Sequence, residues 1–144
     1  MRALYFAYGS NLKIERFQER VASAAIVGRA RLEGFRLVCD KSGADGSGKA
    51  NLRADRQGVV WGAVYALDAA HWPALDACER RYMRLQVRVE TDAGSLEVQT
   101  YRSEALTDEP VPFRWYRRLI LEGAREHALP PGYLRELEAL PSRE

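Results

Sequence analysis

The sequence predicts an α+β domain of mostly antiparallel strands with a few flanking helices, able to close into a small β-barrel. Two strand patterns carry that prediction. Val59-Val60-Trp61-Gly62-Ala63-Val64-Tyr65-Ala66-Leu67 is apolar on both faces, as a central strand has to be. Leu85, Val87 and Val89 alternate with Arg84, Gln86, Arg88 and Glu90, and Leu96, Val98 and Thr100 alternate again after Asp92-Ala93-Gly94, which describes a hairpin. Helical spacing is confined to short segments between and after these strands. The 144 residues read as one domain, 1–144, long enough to bury a core without a covalent staple.

In chain order, Leu4 to Ala7 form a short buried strand that runs into Tyr8-Gly9-Ser10-Asn11-Leu12. Gly9 lets the backbone turn, and Ser10 and Asn11 are good N-cap residues for a helix from about Leu12 to Val21, where Ile14, Phe17 and Val21 share a face. Phe35, Leu37 and Cys39 alternate with Arg36 and Asp40 as a strand, and Asp40 to Lys49, with three glycines, reads as a flexible loop. Asn51 to Ala54 resume the sheet. From Asp68 the pattern turns helical, with Trp72, Leu75 and Glu79 on one face and Pro73 tolerable near the first turn. A helix from about Phe113 to Ala128 turns Leu119, Ile120, Gly123 and Ala124 inward. Pro130-Pro131 breaks it, and Leu134, Leu137 and Leu140 mark a last short helix.

Composition narrows the function classes. Apolar residues make up 47% and charged residues 29%, and a formal net charge of +2 gives no footprint for nucleic acid or a membrane surface. No run is long and apolar enough for a signal peptide or a membrane span, so the expected compartment is the cytoplasm. Cys39 and Cys78 lack metal-ligand or C-x-x-C spacing and read as buried free thiols, with no metal expected.

Four segments could carry chemistry. The junction Tyr8 to Leu12 leads into a helix whose free amides and dipole would favour a carboxylate or phosphate. Glu79 extends an apolar stripe, so it is either a desolvated carboxylate with a raised pKa, suited to general acid–base work, or a residue that caps the helix end or pairs with Arg80 or Arg81 on the surface. Gly43 to Lys49 falls one residue short of a P-loop, has Ala50 where Ser or Thr would hold magnesium, and precedes a strand; a glycine-rich hairpin loop is the better fit. Arg114-Trp115-Tyr116-Arg117-Arg118 could stack on bases but fits a helix with solvated charges and packed rings. Ser10 lacks a nucleophile elbow, and neither His71 nor His127 is tied to it by spacing.

Taken together, four blocks resemble the γ-glutamylcyclotransferase family, which includes the γ-glutamylamine cyclotransferases and AIG2-like proteins. They are Tyr5-Phe6-Ala7-Tyr8-Gly9-Ser10-Asn11-Leu12; Val60-Trp61-Gly62-Ala63-Val64-Tyr65; Leu75-Asp76 with Glu79 and Tyr82; and Tyr116 through Gly123-Ala124 to Leu129-Pro130 and Tyr133. The resemblance implies a small β-barrel with flanking helices, no cofactor, and a homodimer. It also implies an intramolecular reaction in which the α-amine of a γ-glutamyl group attacks its own γ-carbonyl, closing 5-oxoproline and expelling an amino acid or amine. Glu79 matches the family's catalytic position, Tyr8, Gly9, Ser10, Asn11 and Leu12 match the loop that holds the γ-glutamyl group, and Tyr82 and Tyr116 match aromatic positions bordering the pocket. Other substrates within this class are a γ-glutamylamine or a γ-glutamyl-protected biosynthetic intermediate. A non-catalytic γ-glutamyl or carboxylate binder is the reading from another class. The chain departs from the family pattern where Glu79 runs through Arg80-Arg81 directly into Tyr82, which predicts a shorter and more cationic covering loop.

Overall fold

The computed structural model describes residues 2–144. Strands β1 (Arg2–Ala7), β2 (Ala25–Ser42), β3 (Gly48–Asp68), β4 (Met83–Thr91) and β5 (Gly94–Arg102) close a barrel in the order β1-β3-β2-β4-β5. Every pairing is antiparallel except the seam, where β1 meets β5 in parallel at Tyr5 and Gln99. β3 is central because it pairs with β1 from Asp68 to Ala63 and with β2 along nearly its whole length. Its Val60, Ala63, Val64, Tyr65 and Leu67 are accordingly buried, as apolarity on both faces requires.

Helices α1 (Ile14–Arg20), α2 (Trp72–Cys78), α3 (Arg114–Glu126) and α4 (Pro131–Glu138) flank the barrel. The core runs from Phe6 and Val64 through Phe17 and Tyr65, whose rings stack at 4.9 Å, to Leu12 and Ile120. A side chain at Gly123 would strike the backbone of Leu12, so this glycine lets α3 lie directly on the segment after β1. That close contact helps hold the Tyr8-to-Leu12 segment in place. Among the described residues no helix is long and apolar enough to cross a membrane.

The α+β barrel and the β4–β5 hairpin agree with the sequence pattern, but several local expectations need correction. β2 starts at Ala25, well before Phe35, because Ile26 and Val27 lie exposed and give no alternation. Gly34, at φ +89°, then sits where the register slips between Glu33 and Phe35, which breaks the period further. The expected helix from Leu12 to Val21 divides into a 3₁₀ turn over Ser10–Leu12 and the shorter α1. In α3 the buried residue is Leu121 rather than Leu119, and α3 ends before the prolines, with Ala128 at φ +52° and the Leu129 N–H on the Ala124 carbonyl. Pro131 instead opens α4. Cys39 and Cys78 are both free thiols, but Cys78 is exposed.

The supposed flexible loop at 40–49 is mostly ordered sheet. β2 continues to Ser42 and β3 resumes at Gly48, leaving a short turn in which Asp45 accepts from the N–H and hydroxyl of Ser47 at 3.0 and 2.6 Å. Asp45 also accepts from Lys49 at 3.0 Å, so the glycine-rich stretch is a closed hairpin turn and not a phosphate cradle.

Candidate active site

Five segments distant in sequence meet at one end of the barrel: β1 with the turn after it, the end of α2 with its following turn, the far end of the β2–β3 hairpin, β5 and α3. They enclose a chamber of about 30 Å³ walled by Tyr5, Tyr8, Gly9, Ser10, Asn11, Ala50, Glu79, Tyr82, Tyr101 and Tyr116. The chamber adjoins a mouth of about 210 Å³, with Ser10, Glu79, Tyr82 and Tyr116 common to both.

Glu79 does not extend the stripe of a helix as expected. It is the C-cap of α2, its N–H still bonded to the Leu75 carbonyl at 3.0 Å and its backbone turning away at φ −95°, ψ 64°. The side chain remains inside, 14% exposed. Its Oε1 accepts from Asn11 Nδ2 at 2.7 Å and lies 3.3 Å from Arg20 Nη1. Burial raises its pKa above the ordinary carboxylate value, against the opposing pull of Arg20, the Asn11 amide, Lys41 and Arg16. Both sequence alternatives hold in part: Glu79 ends the helix, yet its carboxylate is buried, and its cation is Arg20 rather than Arg80 or Arg81.

Asn11 is buried, and its amide nitrogen spans Glu79 and the Tyr5 hydroxyl, the latter at 3.1 Å. Its Oδ1 has no donor among the described residues. A buried acceptor without a partner costs about 1–3 kcal/mol, so a site that keeps one has a use for it. Asn11 and Ser10 therefore do not cap a helix through their side chains: Ser10 Oγ accepts from Arg16 Nε at 3.2 Å, and the α1 N-terminus is met by Glu126, which takes the Ile14 N–H at 2.7 Å. The expected anion site at the helix N-terminus is thus already filled from within the chain. What remains open are the N–H groups of Gly9, Ser10 and Asn11, which have no hydrogen-bond partner among the described residues, whereas Leu12 N–H bonds Gly9 O at 3.0 Å.

Leu12 departs furthest from its expected place among the binding residues. Its side chain is fully buried in the core, and its carbonyl takes Tyr65 Oη and His127 Nε2, each at 2.7 Å. Neither its amide nor its carbonyl is left for a ligand.

The aromatic walls are fixed by backbone. Tyr8 donates to the Tyr101 carbonyl at 2.6 Å, Tyr82 to the Ala50 carbonyl at 2.6 Å, and the Tyr116 hydroxyl accepts the Ala50 N–H at 3.0 Å. Tyr101 donates to Asp76 Oδ1 at 2.6 Å. Burial holds the hydroxyls of Tyr5, Tyr8, Tyr82, Tyr101 and Tyr116 above the usual phenol range, so these groups stay neutral. Tyr5, Ala50 and Tyr101 were not singled out from sequence. A Tyr in a buried strand is a weak signal that its hydroxyl has a polar neighbour, but Ala50 carries no signal at all. Among the described residues no three His, Cys, Asp or Glu side chains converge as a metal-binding set.

The expected short covering loop is a tight turn, Tyr82 N–H to Glu79 O at 3.2 Å, with Arg81 in the left-handed region at φ +67°. Ser103 Oγ donates to the Arg81 carbonyl at 2.6 Å and braces it. Ser103 is tied in turn to Asn51, and Asn51 to the buried Asp40, so the hairpin and the turn after Glu79 share one buried polar network.

A strand barrel with a buried carboxylate facing an amide-lined turn defines a class that comparison with known proteins makes specific. A family model described as "AIG2-like family" matches residues 59–137. The chain is 35% identical to the γ-glutamylcyclotransferase of Homo sapiens over 148 residues, covering 95% of this chain and 78% of that protein. A solved structure titled γ-glutamyl cyclotransferase superposes with a TM-score of 0.92 at 30% identity, covering all of this chain and 90% of that one. An AIG2-like protein from Mus musculus, 23% identical over 76% of this chain and 82% of that one, shares the fold at a TM-score of 0.59. The chain belongs to the AIG2-like γ-glutamylcyclotransferase family.

Proposed function

We propose that the protein is a γ-glutamylcyclotransferase-like enzyme that closes the γ-glutamyl group of a small γ-glutamyl compound to 5-oxoproline and releases an amino acid or amine. The observation that carries this reading is the Glu79 carboxylate, held in the chamber by Asn11 Nδ2 at 2.7 Å and walled in with Gly9, Ser10 and Asn11, whose N–H groups are unpartnered among the described residues. A carboxylate beside free amides suits a substrate that brings an ammonium and a carbonyl, and the carboxylate can take the ammonium's proton.

In this mechanism Glu79 removes a proton from the α-ammonium, and the freed amine attacks the γ-carbonyl carbon to form the five-membered ring. The N–H groups of Gly9, Ser10 and Asn11 face the oxygen on which negative charge develops. Protonated Glu79 then gives its proton to the departing nitrogen and the old C–N bond breaks; the ring nitrogen gives up its surplus proton through Glu79, the released amine leaves as its ammonium, and no water is consumed. Its raised pKa serves both halves, because a group that accepts and returns one proton works best near the operating pH. Binding the two reacting groups of one molecule in contact supplies much of the acceleration, so little further machinery is needed. Ser10 attacks nothing in this scheme and holds Arg16 instead. A pure binding protein would need the amides but not a desolvated carboxylate, which favours turnover over the binding-only reading.

The test is a substrate panel of γ-glutamyl amino acids, γ-glutamylamines and glutathione, with 5-oxoproline as the measured product. Formation of 5-oxoproline with equimolar release of the amine is expected, and no product from any member would sink the reading. The homodimer is part of the proposal on family resemblance and the cytoplasmic setting on the sequence reading, and sedimentation of the purified chain checks the first.

A further inference from the structure

The mouth outside the chamber has a charge that the cyclisation chemistry does not use. Arg16, Arg20, Lys41, Lys49 and Arg80 line it, and Glu79 is its lone carboxylate. Two of these cations are matched, Arg20 by Glu79 at 3.3 Å and Lys49 by Asp45 at 3.0 Å. Arg16 uses its Nε on Ser10 and has no ion pair among the described residues, and neither does Arg80.

Lys41 is the least satisfied. It is 7% exposed, yet among the described residues it has neither a carboxylate within ion-pair distance nor a hydrogen bond. Its Nζ sits 4.8 Å from the centroid of the Tyr82 ring, and that ring also walls the chamber. Packing around the Lys41 side chain partly desolvates an ammonium that lines the mouth with no anion beside it, and this burial lowers its pKa. A bound anion would offset that cost. The position says which anion: chamber and mouth share Ser10, Glu79, Tyr82 and Tyr116, so a bond cleaved beside Glu79 leaves its departing half in the mouth.

An ordinary leaving amino acid brings one carboxylate, whereas Arg16, Lys41 and Arg80 offer three unmatched cations. We propose that the mouth selects γ-glutamyl compounds whose leaving amino acid is acidic, with Lys41 taking the side-chain carboxylate. This deepens the proposed function and rests on it. Arg16 and Arg80 remain for the α-carboxylate of the same group, and Tyr82 under Lys41 keeps the ammonium at the chamber rim.

The experiment compares kcat/KM for γ-glutamylglutamate and γ-glutamylglutamine, two substrates alike in shape that differ by one charge. A preference of about tenfold or more for the acidic substrate is expected, the effect of one charge-assisted contact. In Lys41→Met, which keeps an unbranched apolar stem, the ratio is expected to fall to within about twofold. Equal turnover of the two substrates by the native protein overturns the proposal and leaves the enzymatic reading standing. A tenfold ratio that survives in a folded Lys41→Met protein overturns the role of Lys41. The native ratio decides the selectivity without any variant, so a poorly folding Lys41→Met does not blunt the test. Absence of 5-oxoproline from both substrates and from the wider panel removes the underlying function, and this proposal with it.

Discussion

The chamber and the mouth share four residues and are otherwise opposites. The chamber is aromatic around one carboxylate with no cation in its lining, while the mouth is lined by five cations. The first is built to perturb Glu79, because removing water raises the cost of its charge and readies it to exchange a proton. The second is built to attract, because cations near solvent draw an anion without being consumed in the chemistry. On the proposals above, reaction and selection are carried by different residues, and substitutions should separate them.

The largest expected effect is at Glu79. Glu79→Gln keeps size and the Asn11 contact but removes the base, and kcat is expected to fall about 10²- to 10⁴-fold with substrate binding largely kept, as measured by 5-oxoproline release and by calorimetric titration. The same variant carries a stability signature. The folded state holds the Glu79 proton to higher pH than the unfolded chain does, so the ionised side chain weakens the fold as pH rises through its raised pKa. Glu79→Gln is therefore expected to melt higher than the native protein at neutral pH, with the gap shrinking as pH falls below the ordinary carboxylate range. For the native enzyme kcat/KM should drop on acidification through that raised pKa, as the base becomes protonated.

Asn11→Ala comes next. It leaves Glu79 without its amide donor, so kcat is expected to fall about tenfold, in line with losing one charge-assisted hydrogen bond. The acid limb of the pH–rate profile should shift upward, because that donor holds the carboxylate pKa down. A loss of stability with an unmoved pH profile would instead make Asn11 merely a core residue.

Gly9→Val tests the turn. Even a Cβ at this position would lie 2.9 Å from the Ala50 Cβ, so the turn and the hairpin have to part. KM should rise severalfold with a smaller change in kcat, and an unchanged KM would place the binding site elsewhere.

Two smaller effects concern the frame. Tyr82→Phe removes the bond to the Ala50 carbonyl and should cost about 1 kcal/mol in urea unfolding. Arg81→Gly relieves a side chain held at φ +67° and should change stability by no more than about 1 kcal/mol, in the stabilising direction.

The two regions also differ in how far they can be read without coordinates. Tyr8 to Asn11 are neighbours in the chain, and their small, turn-forming character announces a tight junction after a strand. Glu79 was visible because a carboxylate in line with Trp72 and Leu75 is unexpected, but the pattern left open whether it continued the helix or ended it, as it does. Lys41 and Ala50 belong to a stretch that looks like solvent loop. Composition cannot show that β2 and β3 continue almost to its tip, since glycine-rich turns and flexible loops share the same residues.

Leu12 shows the converse error. Its neighbours in the motif line the chamber, but a 3₁₀ turn rotates Leu12 into the core, where Gly123 lets α3 press against it. Helical phase over three residues is set by packing rather than by local preference.

By itself the sequence determined the strand-rich α+β barrel, the central β3, the tight junction after β1 and the carboxylate at 79, because each follows from residue type and short-range period. Only the tertiary structure decided that the hairpin tip is a wall, that Arg20 and Asn11 flank Glu79, and that Lys41 lines the mouth without an anion. Those facts depend on contacts between segments tens of residues apart, where barrel closure fixes which side chains meet and no local pattern records it.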